Sequence, residues 1–234
     1  MSDTTLAPKP RIERPGIPEL VAGAIAFVLG LAGTVVLFRA VEFEPVTAGL
    51  VQYALSGGLG LLGFAAAWAV RIRRLDVLGV RRASGRWLAI GAAGGVATFV
   101  LGLLVGVVMS LVMEAPPQNI QQDYQSAAAG GALAFVATLL LGSVLTPLGE
   151  EAFFRGVVAN ALGRWSAWLA VPVSAAIFAI SHGINAVLPV AFIVGVVTAL
   201  LFRRTGSIWP GFLTHLVHNT LATLFPLVLT ALLG

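Results

Sequence analysis

Residues 132–162 read ALAFVATLLLGSVLTPLGEEAFFRGVVANAL, an apolar run with three ionisable side chains, Glu150, Glu151 and Arg155. A run of this length can cross the hydrocarbon core of a membrane, which needs about 20 residues of helix. Each charged group at the centre of a bilayer costs about 3 kcal/mol or more, so such groups are kept where they serve a function. We therefore expect a membrane-spanning helix that carries the functional site.

The whole chain has the composition of a membrane protein. Hydrophobic residues make up 58% of the 234 residues and charged residues 10%, against about 45–50% and about 25% in soluble domains. The apolar runs do not alternate between polar and apolar residues, which excludes a β-barrel. The sequence predicts an all-α, polytopic transmembrane bundle of about seven spans. The predicted spans are about 17–38, 47–70, 87–113, 132–162, 165–182, 186–202 and 207–233.

Positive charge orients this bundle. The loop 71–86 holds six arginines and one acid, Asp76, and an excess of Lys and Arg marks cytoplasmic loops. Alternation of the spans then places every basic residue on the cytoplasmic side except Arg39, at the outer end of the first span, and Arg155. We expect an integral protein of the bacterial plasma membrane with a cytoplasmic N-terminus.

Composition also limits the domains and the partners. Residues 1–16, with prolines and alternating charge, predict a mobile cytoplasmic tail, and residues 17–234 predict one membrane-embedded domain. The net charge of +4 indicates contact with anionic membrane lipid and not with nucleic acid. Cysteine is absent, which excludes thiolate catalysis and thiolate metal ligands. The connection 114–131 is the longest external one and fits a linker better than a lid.

The two adjacent glutamates are expected to differ. Glu151 and Arg155 are i and i+4 on one helix, in the favourable acid-before-base order, so they can form a structural ion pair. Glu150 lies about 100° around the helix from Glu151 and is predicted to face a different neighbour with its carboxylate available. Pro147 removes a backbone hydrogen bond, which predicts a kink or an opening of the helix beside the acids.

Three further polar residues reach the depth of Glu150 from other helices. Glu150 and His182 lie about 14 and 17 residues from the turn near Gly163, which corresponds to about 21 and 26 Å along antiparallel helices. His215 and Asn219 are i and i+4 in the last span and therefore share a face. The fold is expected to bring these four side chains into one layer of the bilayer.

A carboxylate, two histidines and an amide form a set suited to water activation and oxyanion stabilisation. Glu150 can act as the general base and His182 can orient or deprotonate the same water, while His215 and Asn219 can donate to an oxyanion. The set therefore indicates hydrolysis of a peptide bond in a membrane-associated protein or peptide. Glu150, His182 and His215 also match a zinc ligand set. Asn219 is a poor zinc ligand but a good oxyanion donor, and we favour a site without a cofactor, with zinc as the alternative.

At these residues the sequence resembles the CAAX protease and bacteriocin-processing family of intramembrane endopeptidases, also called CPBP or Abi. The resemblance lies in Glu-Glu-x-x-x-Arg starting at Glu150, Phe-x-x-x-His ending at His182 and His-x-x-x-Asn starting at His215. It covers residues about 130–222, which are expected to contain the catalytic helices. Eukaryotic members remove the last three residues of prenylated CAAX proteins at a site open to the cytosol. Bacterial members are diverse, so CAAX cleavage is not carried over.

The resemblance also implies roles for individual residues. Glu150 and His182 would activate the water, and the active site would open toward the cytoplasm. The implied oxyanion hole is His215 and Asn219, and the implied structural support is Glu151 and Arg155.

Two residues next to the site are predicted to support it. Phe178, one turn before His182, is predicted to be a wall of the pocket, and His218, next to Asn219, is predicted to pack behind the site.

The same polar core suits a transporter or a toxin-immunity protein that binds its ligand without cutting it. Common transporters show internal repeats and paired broken helices, which are not apparent in this sequence.

Overall fold

The computed structural model describes residues 14–112 and 119–233 and forms a bundle of α-helices. Among these residues, all the helices except α4 and α6 are long and apolar enough to cross a membrane, six in number. The predicted all-α polytopic fold is confirmed, while most of the predicted tail 1–16 lies outside the described residues. The helices are α1 (Ile17–Ala40), α2 (Pro45–Val70), α3 (Gly85–Val112), α4 (Gln122–Ala129), α5 (Ala132–Leu162), α6 (Ala170–Ser181), α7 (Leu188–Thr205) and α8 (Trp209–Leu233).

The predicted fifth span, 165–182, is realised as a shorter helix. Helix α6 has 12 residues, about 18 Å of helix, which is less than the thickness of a hydrocarbon core. It packs as a hairpin against α7. His182 is the C-cap residue of α6, so this histidine stands at a helix terminus.

The connection 114–131 is more than a linker. Residues 114–118 lie outside the described part, and the rest contains α4, which packs on α2. Gln52 Nε2 donates a hydrogen bond of 2.9 Å to Asp123, and the rings of Tyr53 and Tyr124 lie 4.4 Å apart between centroids. These contacts hold α4 against one end of the bundle.

Helix α5 departs from regular α-helical geometry on both sides of Pro147. The segments Leu139–Leu145 and Glu151–Ala159 are π-helical, and they flank the α-helical turn Thr146–Glu150. The predicted disturbance of the helix beside the acids is therefore present. Wide helical turns are frequent at functional sites, because they redirect side chains without ending the helix.

The backbones of α2 and α5 touch where the two helices cross. A Cβ atom added to Gly60 would overlap the backbone of Gly149, and one added to Gly149 would overlap the backbone of Gly57. Only glycine permits this approach. The crossing lies one residue from both Ser56 and Glu150, so it sets the distance between these two side chains.

We predict that Gly60→Ala destabilises the protein by about 1–3 kcal/mol, because the methyl group forces the two backbones apart. The matched control is Gly58→Ala, since a Cβ there would meet no atom within 4 Å and alanine favours a helix. Thermal unfolding of both variants in detergent measures the difference. Equal melting temperatures for the two variants would contradict the close crossing.

Candidate active site

Side chains from three other helices surround the carboxylate of Glu150. Ser56 on α2 donates a hydrogen bond of 2.9 Å to Oε1. His182 Nε2, at the end of α6, lies 3.8 Å from Oε1, and His215 Nε2 on α8 lies 3.6 Å from Oε2. The last two separations exceed hydrogen-bond length, so neither histidine is hydrogen-bonded to Glu150. Only 6% of the Glu150 side chain is exposed, which makes this a site inside the bundle.

The hydrogen bond of His182 determines which of its nitrogens can take up a proton. Its Nδ1 lies 2.9 Å from the carbonyl oxygen of Phe178. A carbonyl oxygen only accepts, so Nδ1 is the donor. Neutral His182 therefore presents the lone pair of Nε2 toward Glu150, and this nitrogen can accept a proton from water.

His215 lies between the two glutamates. Its Nε2 is 3.6 Å from Glu150 Oε2 and its Nδ1 is 3.6 Å from Glu151 Oε1. The two acids therefore share His215, while Glu150 alone contacts Ser56 and His182 and Glu151 alone contacts Arg155. The two nitrogens of one imidazole point in opposite directions, so one ring contacts both of the adjacent carboxylates.

Glu151 and Arg155 form the predicted ion pair and extend it to α7. Arg155 Nε lies 3.4 Å from Glu151 Oε2, and both side chains are completely buried. Arg155 Nη2 donates to the carbonyl oxygen of Gly195 at 3.3 Å and to the hydroxyl of Thr198. The guanidinium also lies 4.6 Å from the centre of the Phe178 ring. These contacts fix Glu151 behind His215.

Asn219 and His218 occupy two neighbouring positions of α8. Asn219 Nδ2 donates a hydrogen bond of 2.9 Å to the carbonyl oxygen of Gly142 in the first π-helical segment of α5. His218 Nδ1 lies 3.1 Å from the hydroxyl of Thr98 on α3. The amide of Asn219 has a second N–H group that can serve a ligand, whereas His218 links α8 to α3.

Phe178 lies at the base of the site. Its side chain is almost completely buried, and its ring meets His182 and His215 edge-on at centroid distances of 4.7 and 5.7 Å. Both histidines are therefore oriented by one aromatic ring. The predicted role of Phe178 as a wall agrees with this position.

A cavity of about 630 Å³ contains the predicted site residues. Glu150, His182, His215, His218 and Asn219 all line it. Its remaining lining comes from α2, α3, the connection between α3 and α5, α7 and α8, and includes Tyr53, Gly102, Gln121, Tyr124, Gln125, Val190 and Thr223.

The predicted opening of this cavity toward the arginine-rich side is not supported by its lining, which includes no described residue of 71–86, 163–169 or 203–209. The lining residues of α2, α3 and α7 lie in the half of the bundle that is distant from the loop 71–86, whereas those of α8 extend from His215 to Leu227 through both halves. Between Glu150 and the arginine-rich end, the bundle is filled by a packed core. This core includes Leu78, Phe153, Phe154, Val157 and Val158, all at most 3% exposed. The sequence predicted the depth of Glu150 but not the packed core between Glu150 and the arginine-rich end.

Ser56 and Tyr53 are site residues that sequence reasoning missed. No candidate site residue is predicted in the first three spans, although Gln52, Tyr53 and Ser56 form a short polar group within the second span. Residues three and four apart share a helix face, so the pair Gln52 and Ser56 was the available signal. It predicts that this face of α2 contacts other polar groups.

The site residues include the predicted alternative set of zinc ligands, Glu150, His182 and His215. Within residues 14–112 and 119–233, no group of three or more His, Asp or Glu side chains has an arrangement that could hold a metal ion. Zinc held by Glu150, His182 and His215 stays the alternative to a site without a cofactor. Solution metal analysis remains the test of this point.

We predict that Arg155→Ala destabilises the protein by about 3–5 kcal/mol, because Glu151 would keep a buried charge without its partner. Arg204→Ala is the control, since Arg204 is exposed, and surface changes cost within about 0.5 kcal/mol. Melting temperature and the monodisperse fraction in detergent measure both. A near-wild-type melting temperature for Arg155→Ala would show that the network carries no stability.

Comparison with known proteins adds to this geometry. Residues 132–221 match a family model described as Type II CAAX prenyl endopeptidase Rce1-like, a match that covers less than half of the chain. An Escherichia coli protein described as an uncharacterized 24.3 kDa protein is 32% identical over 88 residues, which cover 35% of this chain and 41% of that protein. No solved structure matches the chain. Over residues 132–221, the comparison confirms the resemblance to the CAAX protease and bacteriocin-processing family.

Proposed function

We propose that the protein is an intramembrane endopeptidase that hydrolyses a peptide bond of a membrane-associated protein or peptide. One observation carries this proposal: the buried carboxylate of Glu150 lies within 4 Å of the Nε2 atoms of both His182 and His215. The match to a family of CAAX prenyl endopeptidases supports a protease. CAAX cleavage itself is not part of the proposal.

The attacking water is activated by Glu150 and His182. Oε1 of Glu150 and Nε2 of His182 are both acceptors and lie 3.8 Å apart, so one water can donate one O–H group to each. As the water oxygen bonds to the carbonyl carbon, its proton passes to Glu150 as general base. The hydrogen bond from Ser56 to the same Oε1 fixes the orientation of the carboxylate.

The oxyanion of the tetrahedral intermediate is stabilised from α8. Asn219 uses one amide N–H for Gly142, and this bond holds the amide so that the second N–H can donate to the oxyanion. His215, between Glu150 and Glu151, supplies the second donor. Donors that are held in place before the reaction usually provide the largest part of catalysis in acyl transfer.

Collapse of the intermediate completes the reaction. The C–N bond breaks, and the proton held by Glu150 passes to the leaving nitrogen, which departs as an amine. The products are a new C-terminal carboxyl group, which ionises by giving the second proton of the water to the new N-terminal amine, so that a carboxylate and an ammonium group leave. Water is consumed and no oxidant or second substrate is required.

We predict that Glu150→Gln abolishes turnover and leaves the melting temperature near that of the wild type. Glutamine keeps the shape of the side chain but cannot accept a proton, and loss of a general base costs about 10²–10⁴ in rate. The control is Glu42→Gln at an exposed position. Mass spectrometry of new C-termini in membranes that express each variant measures the activity.

The outcome for Glu151→Gln separates the roles of the two acids. This variant is expected to lose stability and to retain activity per folded molecule. A stable, inactive Glu151→Gln together with an unstable, active Glu150→Gln would reverse the assignment. A protein that binds peptides without cutting them would yield the same C-termini with Glu150 or Gln at position 150.

We predict that purified, active protein contains substoichiometric metal and keeps its activity after chelation, because Glu150 itself activates the water. Elemental analysis and a chelator titration, with re-addition of Zn²⁺, measure this. One zinc per chain together with a reversible loss of activity would instead support zinc held by Glu150, His182 and His215.

A further inference from the structure

We infer that the substrate segment reaches Glu150 from the outer, non-cytoplasmic face of the membrane. The substrate class would then be a protein or anchored peptide whose cleaved segment lies outside the cytoplasm. The inference that a substrate enters from this face rests on the proposed function. The face of the membrane from which the cavity is accessible does not depend on any reaction.

The arginines define one end of the bundle. Arg71 bonds with Glu19 near the start of α1, with Nε 2.5 Å from Oε1. Arg81 Nη2 donates to the carbonyl oxygen of Thr205 at 2.8 Å, and Arg164 Nη1 donates to the carbonyl oxygen of Arg14 at 3.3 Å. The loops and termini that carry basic charge are therefore gathered at the same end. By the distribution of positive charge, this is the cytoplasmic end.

The cavity lies toward the other end. Its rim is formed by the described part of the connection between α3 and α5, with Gln121 and Gln125 exposed there. Thr223 on α8 also lines the cavity. It lies about 21 Å along the helix from Trp209, where α8 begins at the arginine-rich end. None of the described residues in 71–86, 163–169 or 203–209 lines it.

A second cavity lies in the same half of the bundle. It has a volume of about 410 Å³ and is lined by α1 from Phe27 to Phe38. Glu150 and His182 line both cavities, together with Ser56, Ile120, Gln121, Tyr124 and Val187. Toward the cytoplasmic end, α5 is buried at every position from Glu151 to Ala159, so the described helices pack closely around it there.

The chain contains no cysteine, so single cysteines can report the accessible side without changes to the background. The variants are Gln125→Cys at the rim, Thr223→Cys in the cavity wall and Arg82→Cys at the arginine-rich end. Each is expressed in cells, and right-side-out and inverted membrane vesicles are prepared. Gln125→Cys and Arg82→Cys are treated with a membrane-impermeant maleimide. Thr223→Cys is treated with a small charged methanethiosulfonate. Ala222→Cys, which also lines the cavity, replaces Thr223→Cys if that variant does not fold.

We expect the mass of the reagent to be added at positions 125 and 223 in right-side-out vesicles and at position 82 only in inverted vesicles. The opposite pattern would overturn the orientation. Labelling at position 125 without labelling at 223 or 222 from the outer side would overturn the outward opening of the cavity. These labelling results require no turnover. If no Glu150-dependent C-termini are found while the expected labelling is observed, the proposed function fails and the accessible side stands.

Discussion

The buried charge of Arg155 is the constraint on which the arrangement of the site depends. A fully buried guanidinium must be neutralised and hydrogen-bonded, because the loss of its hydration costs several kcal/mol. Glu151 supplies the charge, and Gly195 and Thr198 on α7 supply acceptors. The arginine therefore fixes α5 against α7, and it fixes the carboxylate that contacts His215 on α8. A residue with no direct part in the proposed chemistry thus determines where the proposed oxyanion donor lies.

The site also depends on helices outside the part of the chain that matches the family. The glycines of α2 allow its backbone to touch α5, and this crossing places Ser56 in hydrogen-bond contact with Glu150. Tyr124 of α4 lines the cavity. Burial raises the pKa of the Tyr124 phenol, with smaller contributions from Tyr53 and Glu150, so this side chain stays uncharged. The first half of the chain therefore completes a site whose main residues lie in the second half.

Helical geometry made part of this site predictable from the sequence. Spacing of i and i+4 gave the pair Glu151 and Arg155, and counting residues from a turn gave the common depth of Glu150 and His182. Depth along a helix does not determine rotation about its axis, so the contacts of His215 with both acids were not predictable. Hydropathy likewise cannot show which end of a bundle is packed, because core residues and lipid-facing residues are equally apolar. The end of the bundle toward which the cavity lies was for this reason not predictable from hydropathy.

The charges of the cavity bear on how a substrate is held. Among the described residues that line the larger cavity, Glu150 is the one acid, and Lys and Arg do not occur. A free C-terminal carboxylate would meet no cation there, and its charge would be repelled by Glu150. The amide side chains of Asn119, Gln121 and Gln125 at the rim can instead pair with the uncharged amides of an extended backbone. Such a cavity favours a peptide bond within a chain over one beside its C-terminus, in agreement with the proposed endopeptidase.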